Sequence, residues 1–380
     1  MSNPSHFDLI VVGAGILGCA HALAAARHGK SVLLLERDAR ANEASIRNFG
    51  FVTITGQQVG QVHTRALRSR DIWRDVAAGA GIAVHHQGLL VAAHSPEADA
   101  VLEAFMQTEM AEGCERLTAA QAIERCPQLN PEGLTSALHS SHELRVEPRE
   151  ALPKIAAWLQ EVQGVVLHFG QQVQAVEASD LSCQVVTTDA TFESDAVAVC
   201  SGNDFRTLFR ERLAAYDLQL CKLQMARVAP QPAGWRLPAA VMSDTSLVRY
   251  LGYAELPEAD ALRRRLEQEV PETLAAGVHL IVVQGADGSL TIGDSHHNGP
   301  AADPFYDEAV ADLFVAELRK TLHVPNASLV ERWNGYYPVS PGRIALIDRP
   351  HARVRLALIT SGTGMSTAFA IGEEVVAELF

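Results

Sequence analysis

Apolar residues along the first part of the chain form short continuous runs separated by polar or glycine-rich segments. Residues 9–12 and 32–35 are runs of this kind and predict two buried strands, over 7–12 and 31–35. Between them, a glycine-rich turn at 13–18 leads into an apolar segment ending near His28, which predicts a helix. The order strand, turn, helix, strand predicts a βαβ unit.

The rest of the chain continues to alternate between strand-like and helix-like patterns. Apolar positions at helical spacing predict helices over 57–78, 96–110 and 149–160, near Leu262 and Val310, and over 367–379. Strands are predicted over 88–92, 136–139, 196–199, 223–228, 279–283, 290–292 and 353–360, and around Val165, Val173 and Val185. Such a pattern indicates an α/β domain interleaved with an α+β domain that carries a mixed sheet.

Length and charge narrow the classes of protein that fit this pattern. The 380 residues exceed a common single-domain size, so two domains are expected. The net charge of −14 argues against nucleic acid or an anionic membrane surface as the main partner. Six cysteines lack any CxxC spacing, which favours a reducing, cytoplasmic location. Residues 9–26 contain no Asp, Glu, Lys or Arg, but their three glycines predict a turn and helix and no membrane span.

The turn has the sequence GAGILG, the fingerprint of a dinucleotide site. Gly13 makes the turn tight, Gly15 lets the backbone approach a pyrophosphate, and Gly18 permits close packing of helix and strand. Glu36 follows the second strand, where an acid binds an adenosine ribose and disfavours the 2′-phosphate of NADP. A glycine turn serving packing alone is the alternative, but the complete order of elements favours a cofactor.

Two further segments favour FAD over NAD. Residues 195–202 predict a strand ending in a small-residue turn, and residues 361–366 (SGTGMS) predict a glycine turn before the last helix. The positive end of that helix is suited to stabilise negative charge on a reduced flavin ring.

With these motifs in order, the chain resembles the D-amino acid oxidase-like FAD-dependent oxidoreductases, the group of glycine and sarcosine oxidase. The resemblance rests on GAGILG, SIRNFG at 45–50, VEP at 146–148, DGSLTIG at 287–293, WNG at 333–335 and SGTGMSTAFAIG at 361–372. It implies a Rossmann-type FAD-binding domain of residues 1–82, 145–215 and 336–380, and a substrate domain of 83–144 and 216–335 with a largely antiparallel sheet. The implied FAD-binding residues are Gly13, Gly15, Gly18, Glu36, Arg37, Ser45, Arg47, Asn48, Gly50, Val173, Gly202, Gly362, Gly364, Met365 and Ser366.

Segments 44–57 and 331–348 further resemble a branch associated with bacterial phosphonate catabolism. That resemblance implies oxidation of an aminoalkylphosphonate, such as N-methyl-2-aminoethylphosphonate, to phosphonoacetaldehyde and methylamine. Flavin amine oxidation moves a hydride to flavin N5 and the imine then hydrolyses, so no acid-base side chain is obligatory. We therefore assign no catalytic residue, and no metal is expected.

In relatives that oxidise amino acids, an Arg after the Trp-x-Gly segment holds the substrate carboxylate, whereas here Tyr337 stands at that position. The candidates for binding the substrate anion are Tyr337, Tyr250, Arg249, Arg47, His296, His297 and, at a domain edge, Lys222. Tyr253 is a further candidate for the pocket wall, with a place in the aromatic core as its alternative. No cysteine follows Trp333, which predicts noncovalent FAD. Thr291 replaces an oxygen-activating Lys of some relatives, so oxygen and another electron acceptor both remain open.

Two other functions remain open from the residues. The first is an amino-acid oxidase or dehydrogenase for glycine, sarcosine or a D-amino acid, with Arg249 holding the carboxylate. The second is a flavin-binding subunit without turnover of its own.

Overall fold

The computed structural model describes residues 6–380, and in that range the chain forms eighteen strands and eleven α-helices. The strands are β1 (His6–Val12), β2 (Val32–Leu35), β3 (Phe51–Val52), β4 (Val84–Ala93), β5 (Cys114–Thr118), β6 (Ser136–Val146), β7 (Val166–His168), β8 (Val173–Ala178), β9 (Cys183–Thr187), β10 (Thr191–Val199), β11 (Gln219–Val228), β12 (Ala240–Met242), β13 (Ile281–Gln284), β14 (Leu290–Gly293), β15 (His297–Gly299), β16 (Leu329–Val339), β17 (Ala345–His351) and β18 (Val354–Ile359). The helices are α1 (Ile16–Arg27), α2 (Gln61–Gly79), α3 (Pro96–Phe105), α4 (Ala119–Arg125), α5 (Pro148–Glu161), α6 (Arg210–Leu213), α7 (Leu251–Ala254), α8 (Ala259–Glu269), α9 (Pro271–Ala275), α10 (Glu308–Thr321) and α11 (Gly364–Leu379).

The first sheet contains the N-terminal βαβ unit. Its strand order is β17-β18-β10-β1-β2-β7, with β9 added to β10 and β8 to β9. The central pairs β10–β1, β1–β2, β2–β7 and β10–β18 are parallel. Both faces of β1 are covered, since Leu9 and Val11 pack against the cluster that includes α1 and α11, while Phe7 and Ile10 belong to a cluster on the opposite face. This two-sided burial explains the continuous apolar run at 9–12.

The second sheet is larger and mainly antiparallel. Its order is β15-β11-β14-β13-β12-β4-β6-β3, with β16 added to β11 and β5 to β6. The pair β12–β4 is its parallel exception. Strands of this sheet alternate along the chain with strands of the first, so the prediction of an α/β unit interleaved with a mixed, largely antiparallel one is confirmed.

Several predicted boundaries were wrong by a few residues. The helix expected over 57–78 begins at Gln61, because Gly60 has a φ of 83° that no helix accommodates. The helix expected over 96–110 ends at Phe105, and a 3₁₀ turn follows at Glu109–Ala111. The last helix begins at Gly364 and includes part of the predicted turn, since glycine is tolerated in the first turn of a helix.

Short elements and one long strand escaped prediction. Strand β16 alternates polar and apolar residues and pairs with β11 along almost its whole length. Pairing with a distant segment stabilises it, so its local pattern carried little information. Within residues 6–380, no helix is both long and apolar enough to cross a membrane.

Candidate cofactor and substrate site

The glycine turn between β1 and α1 has the geometry its sequence predicts. Gly13 has a φ of 98°, and its N–H donates to Leu35 O at 2.7 Å. A Cβ added to Gly18 would lie 1.7 Å from Gly13 O, so the helix can approach the turn this closely because residue 18 lacks a side chain. An added Cβ at Gly15 would lie 3.0 Å from Ser45 Oγ, in the narrow space between the turn and the next loop. The three glycines therefore hold α1 with its N-terminus against an open cradle.

Glu36 has a role that sequence reasoning missed. Its carboxylate is buried and accepts hydrogen bonds from Ala14 N at 2.8 Å and from Asp38 N at 3.0 Å. The acid thus fixes the glycine turn while lining the cavity beside it. The same contacts that shape the glycine turn hold this side chain, at the end of β2, on the cavity wall.

Two adjoining cavities extend from this turn. The first has a volume of about 240 Å³ and the second about 130 Å³. Both are lined by Gly15, Ala44, Ser45, Cys200, Gly202 and Asn203. The second cavity reaches Glu36 and the first reaches the turn before α11, so the two follow an elongated path across the carboxyl ends of β1 and β10.

Most of the predicted cofactor residues lie along this path. Those on the second cavity are Gly13, Glu36, Arg37 and Val173, those on both are Gly15, Ser45 and Gly202, and those on the first are Arg47, Asn48, Gly362, Gly364, Met365 and Ser366. Gly18 and Gly50 line neither cavity. Gly50 has a φ of 66° and an added Cβ would lie 1.8 Å from Val146 O, so its visible role is close packing against the end of β6.

The loop at 43–50 is ordered by its own polar contacts. Asn48 Nδ2 donates to Ala44 O at 2.8 Å, and its Oδ1 accepts from Gly50 N at 2.7 Å. The Arg47 guanidinium lies 3.8 Å from the Glu43 carboxylate, and the backbone carbonyl of Arg47 accepts a hydrogen bond from Trp333 Nε1 at 3.2 Å. The Asn48 side chain is therefore committed to loop structure, while Arg47 is only loosely paired at the cavity wall.

The N-terminus of α11 faces the first cavity. Gly362 has a φ of 75° and reverses the chain ahead of the helix. Trp73 Nε1 donates to Met365 O at 2.7 Å, and Thr53 N donates to Ser366 Oγ at 2.9 Å, which anchors this turn to α2 and β3. The first N–H groups of a helix have no partner within it, so their positive end is directed at the cavity.

Among the predicted substrate residues, Arg249 is the cation that faces the first cavity without an acidic partner. Its side chain is exposed and makes no ion pair within 4 Å in the part of the chain that the structure describes. Tyr250 and Tyr337 line the same cavity, and burial raises the pKa of both phenols, so they are neutral hydrogen-bond donors. Lys222 differs, because its ammonium is buried against Phe305 O and lies 4.0 Å from Asp303, which indicates a structural role.

His296 is accompanied by two residues that sequence reasoning missed. His279 Nε2 lies 3.0 Å from Asp294 Oδ1, and His296 Nε2 lies 3.7 Å from Asp294 Oδ2. All three residues line the first cavity. Burial lowers the pKa of His296 to about 4. Burial opposes ionisation of Asp294, but the positive charges of His296 and His279 in their protonated forms, together with Arg249, outweigh it and lower its pKa to about 2. The predicted strands at 279–283 and 290–292 were a signal in the sequence for this cluster, since antiparallel pairing of the two strands brings the polar residues at their outer ends together.

These features fit FAD: an open glycine cradle, a buried acid for the ribose, a long cavity, and a helix N-terminus at its far end. Residues 8–379 match the family model described as FAD dependent oxidoreductase. A search of curated protein sequences found no match.

Solved structures share this fold at low sequence identity. Glycine oxidase from Geobacillus kaustophilus is 18% identical, with a TM-score of 0.75 over 99% of this chain and 95% of that one. L-proline dehydrogenase from P. horikoshii is 19% identical, with a TM-score of 0.76 over 98% and 93%. L-alpha-glycerophosphate oxidase from Mycoplasma pneumoniae, solved with FAD bound, is 17% identical, with a TM-score of 0.76 over 99% and 95%. Because the family model covers nearly the whole chain, this protein is an enzyme that belongs to the family of FAD-dependent oxidoreductases.

Proposed function

We propose that the enzyme oxidises a small amine that also carries an anionic group, and that this group is a phosphonate. The specific reaction is N-methyl-2-aminoethylphosphonate to phosphonoacetaldehyde and methylamine. FAD, when bound, supplies the hydride acceptor at flavin N5. The protein must hold the amine, orient the C–H bond and exclude water.

The observation that carries this proposal is a pair of opposite charges on one cavity. Arg249 makes no ion pair within 4 Å among residues 6–380 and is exposed at the cavity, while the ionised carboxylate of Asp294 is buried on the same cavity wall. A zwitterion with a positive nitrogen and a separate anion matches both charges. A neutral amine or a simple cation would leave Arg249 without a directly bound anion.

Preference for a phosphonate is supported by the hydroxyl groups around Arg249. Tyr337 occupies the place of the carboxylate-binding Arg of amino-acid-oxidising relatives, and it lies beside the turn at Gly362. A phosphonate has three oxygens, so it accepts hydrogen bonds from an Arg and from two neutral phenols at once. Tyr250, Tyr337 and Arg249 supply such a set of donors, and Arg47 adds a second positive charge.

An amino-acid substrate is the second candidate, since Arg249 alone can bind a carboxylate in a bidentate manner. Glycine oxidase and L-proline dehydrogenase are among the similar structures. Glycine, sarcosine and D-alanine therefore belong in the substrate panel.

For the cofactor, we propose that the residues lining the two cavities hold FAD without a covalent bond. The FAD-binding unit comprises 1–82, 145–215 and 336–380, of which residues 1–5 lie outside the described range, and the substrate unit comprises 83–144 and 216–335. We also retain the prediction of a reducing, cytoplasmic environment. All six cysteines are unpaired, as that environment requires.

Anaerobic bleaching of the flavin absorbance tests the substrate class. Each amine of the panel is mixed with the FAD-loaded enzyme, and the rate of bleaching is recorded against concentration. We expect N-methyl-2-aminoethylphosphonate to reduce the flavin faster than glycine, sarcosine or D-alanine. Reduction by the carboxylate amines but not by phosphonate amines would overturn the phosphonate assignment. Analysis of products distinguishes methylamine from formaldehyde, which would form if the N-methyl carbon were oxidised.

The substitution Arg249→Ala tests the anion site, with Arg264→Ala as its control. Arg264 is exposed on α8 and does not line the cavity. Loss of a charged hydrogen-bond partner costs about 1.5–3 kcal/mol, so we expect the apparent affinity for the anionic amine to fall about 10- to 100-fold. Equal affinities in the two variants would contradict this role for Arg249.

Repeating the bleaching measurement with the parent enzyme in air shows whether oxygen reoxidises the flavin.

A further inference from the structure

The cluster of His279, Asp294 and His296 directs three acceptor groups at one point of the first cavity. One nitrogen of each imidazole and one carboxylate oxygen all lie within 4.8 Å of one another. The rings of the two histidines stack with centroids 5.3 Å apart and an interplanar angle of 19°. The side chains of His279 and Asp294 are buried, and that of His296 is 12% exposed.

Hydrogen bonds on the far sides of the rings fix which nitrogen of each histidine carries its proton. His296 Nδ1 lies 3.0 Å from Gly277 O, which can only accept, so Nδ1 is the N–H. His279 Nδ1 lies 3.4 Å from Ser246 Oγ, whose own proton is donated to Leu280 O at 3.1 Å. Ser246 therefore accepts, and Nδ1 of His279 also carries the proton. In their neutral forms, both rings present a bare Nε2 to Asp294.

In this arrangement the Nε2 atoms of His279 and His296, which are hydrogen-bond acceptors, face the carboxylate oxygens of Asp294, which are also acceptors. Asp294 Oδ1 is 3.0 Å from His279 Nε2, which carries no proton in this neutral tautomer, and the buried oxygen has no hydrogen-bond partner within residues 6–380. A buried carboxylate oxygen without a donor is costly. A group that brings several N–H donors and a positive charge would satisfy the carboxylate and both Nε2 atoms together.

We propose that this cluster binds the substrate ammonium and that His279 removes its proton before oxidation, an inference that rests on the proposed function. The ammonium N–H groups donate to Asp294 and to the two Nε2 atoms. One N–H bond breaks, its proton moves to His279 Nε2, and its electron pair stays on the amine nitrogen. The imidazolium that forms is paired with Asp294, and it later releases the proton to water.

The charges around the cluster favour this assignment of roles. Arg249 and the phenols of Tyr250 and Tyr337 face it, Tyr250 at 5.5 Å from the His279 ring and Tyr337 at 6.4 Å from the His296 ring. Cys221 is another titratable neighbour of Asp294, and burial raises the pKa of its thiol to about 11, so it is neutral. Asp294 is the only one of these groups that is anionic at neutral pH, and it lies nearest to His279. Proton transfer to His279 thus creates an ion pair in a buried site.

The pH dependence of flavin reduction tests this inference in the FAD-loaded enzyme. A secondary alkylamine has a pKa of about 10, like the lysine ammonium, so the free amine is scarce at pH 7. The substitutions Asp294→Asn and His279→Gln should each slow anaerobic flavin reduction by N-methyl-2-aminoethylphosphonate about 100-fold at pH 7. At pH 10, where the substrate arrives deprotonated, the rates should return to within about threefold of the parent.

His297→Gln is the matched control, because His297 is exposed on β15 outside the cavity, and its pH profile should equal that of the parent. The flavin absorbance of each variant verifies folding and cofactor binding. If either Asp294→Asn or His279→Gln fails to fold, the other variant still provides the test. Unchanged pH profiles in both variants would overturn the inference while leaving the proposed function intact. A parent enzyme that no amine reduces at any pH would overturn both. A stoichiometric divalent metal that survives desalting and is lost in Asp294→Asn would also overturn the inference, since the cluster would then be a metal site.

Discussion

The substitution Gly18→Ala tests whether contact between α1 and the glycine turn controls FAD binding. The new Cβ would lie 1.7 Å from Gly13 O, whereas ordinary contact begins at 3.4 Å. The helix and the turn must therefore separate by about 1.7 Å. Neither side can yield freely, because Gly13 N is bonded to Leu35 O and α1 is buried over most of its length.

The expected magnitude follows from two opposing effects. Overpacking of a rigid site costs about 3 kcal/mol at the upper end of its usual range. Replacing glycine by alanine within a helix returns about 1 kcal/mol. The free energy of unfolding should therefore fall by about 2 kcal/mol. Displacement of the helix N-terminus also weakens one or two hydrogen bonds to the cofactor phosphates, so FAD affinity should fall about 100-fold.

Titration of the apoprotein with FAD measures this affinity, and urea denaturation measures the stability. Gly29→Ala is the control, because Gly29 has a φ of 72° and no atom within 4 Å of an added Cβ. Alanine in this left-handed conformation costs about 1–2 kcal/mol, so stability falls by a similar amount while FAD affinity should not change. If Gly18→Ala bound FAD within threefold of the parent, the proposed link between helix packing and phosphate binding would be refuted.

Three further predictions concern buried polar groups. Tyr253→Phe removes a buried hydroxyl that has no hydrogen-bond partner among residues 6–380, so urea denaturation should show a change below about 1 kcal/mol; a loss above about 2 kcal/mol would contradict this. Burial lowers the pKa of His21 from 6.5 to about 4, so the unfolded chain binds this proton first as the pH falls, and stability decreases by about 1.4 kcal/mol per pH unit between these values. His21→Leu should lower the slope of unfolding free energy against pH by that amount, and an unchanged slope would count against it. Glu36→Gln removes a charged acceptor, and FAD titration should show affinity reduced at least about tenfold; equal affinity would exclude a bond from Glu36 to FAD.

The features that sequence could reveal are those determined by neighbours in the chain. The turn at 13–18 was predicted because its glycines, the strands on either side and Glu36 lie within one βαβ unit. Buried strands such as β1 and β10 were recognisable because burial on both faces requires a continuous apolar run. Tyr337 could be placed in the site because it belongs to a motif of fixed spacing.

Other features depend on contacts between distant segments, which no local pattern encodes. Strand β16 exists because it pairs with β11, about a hundred residues earlier in the chain. Lys222 and Arg249 were equal candidates in sequence. Only folding placed the Lys222 ammonium against Phe305 O and left Arg249 at the cavity without an ion pair within 4 Å among residues 6–380. His279 and Asp294 meet because β13 and β14 are antiparallel neighbours; the sequence predicted the two strands, but only the tertiary structure established their pairing and the shared cavity wall.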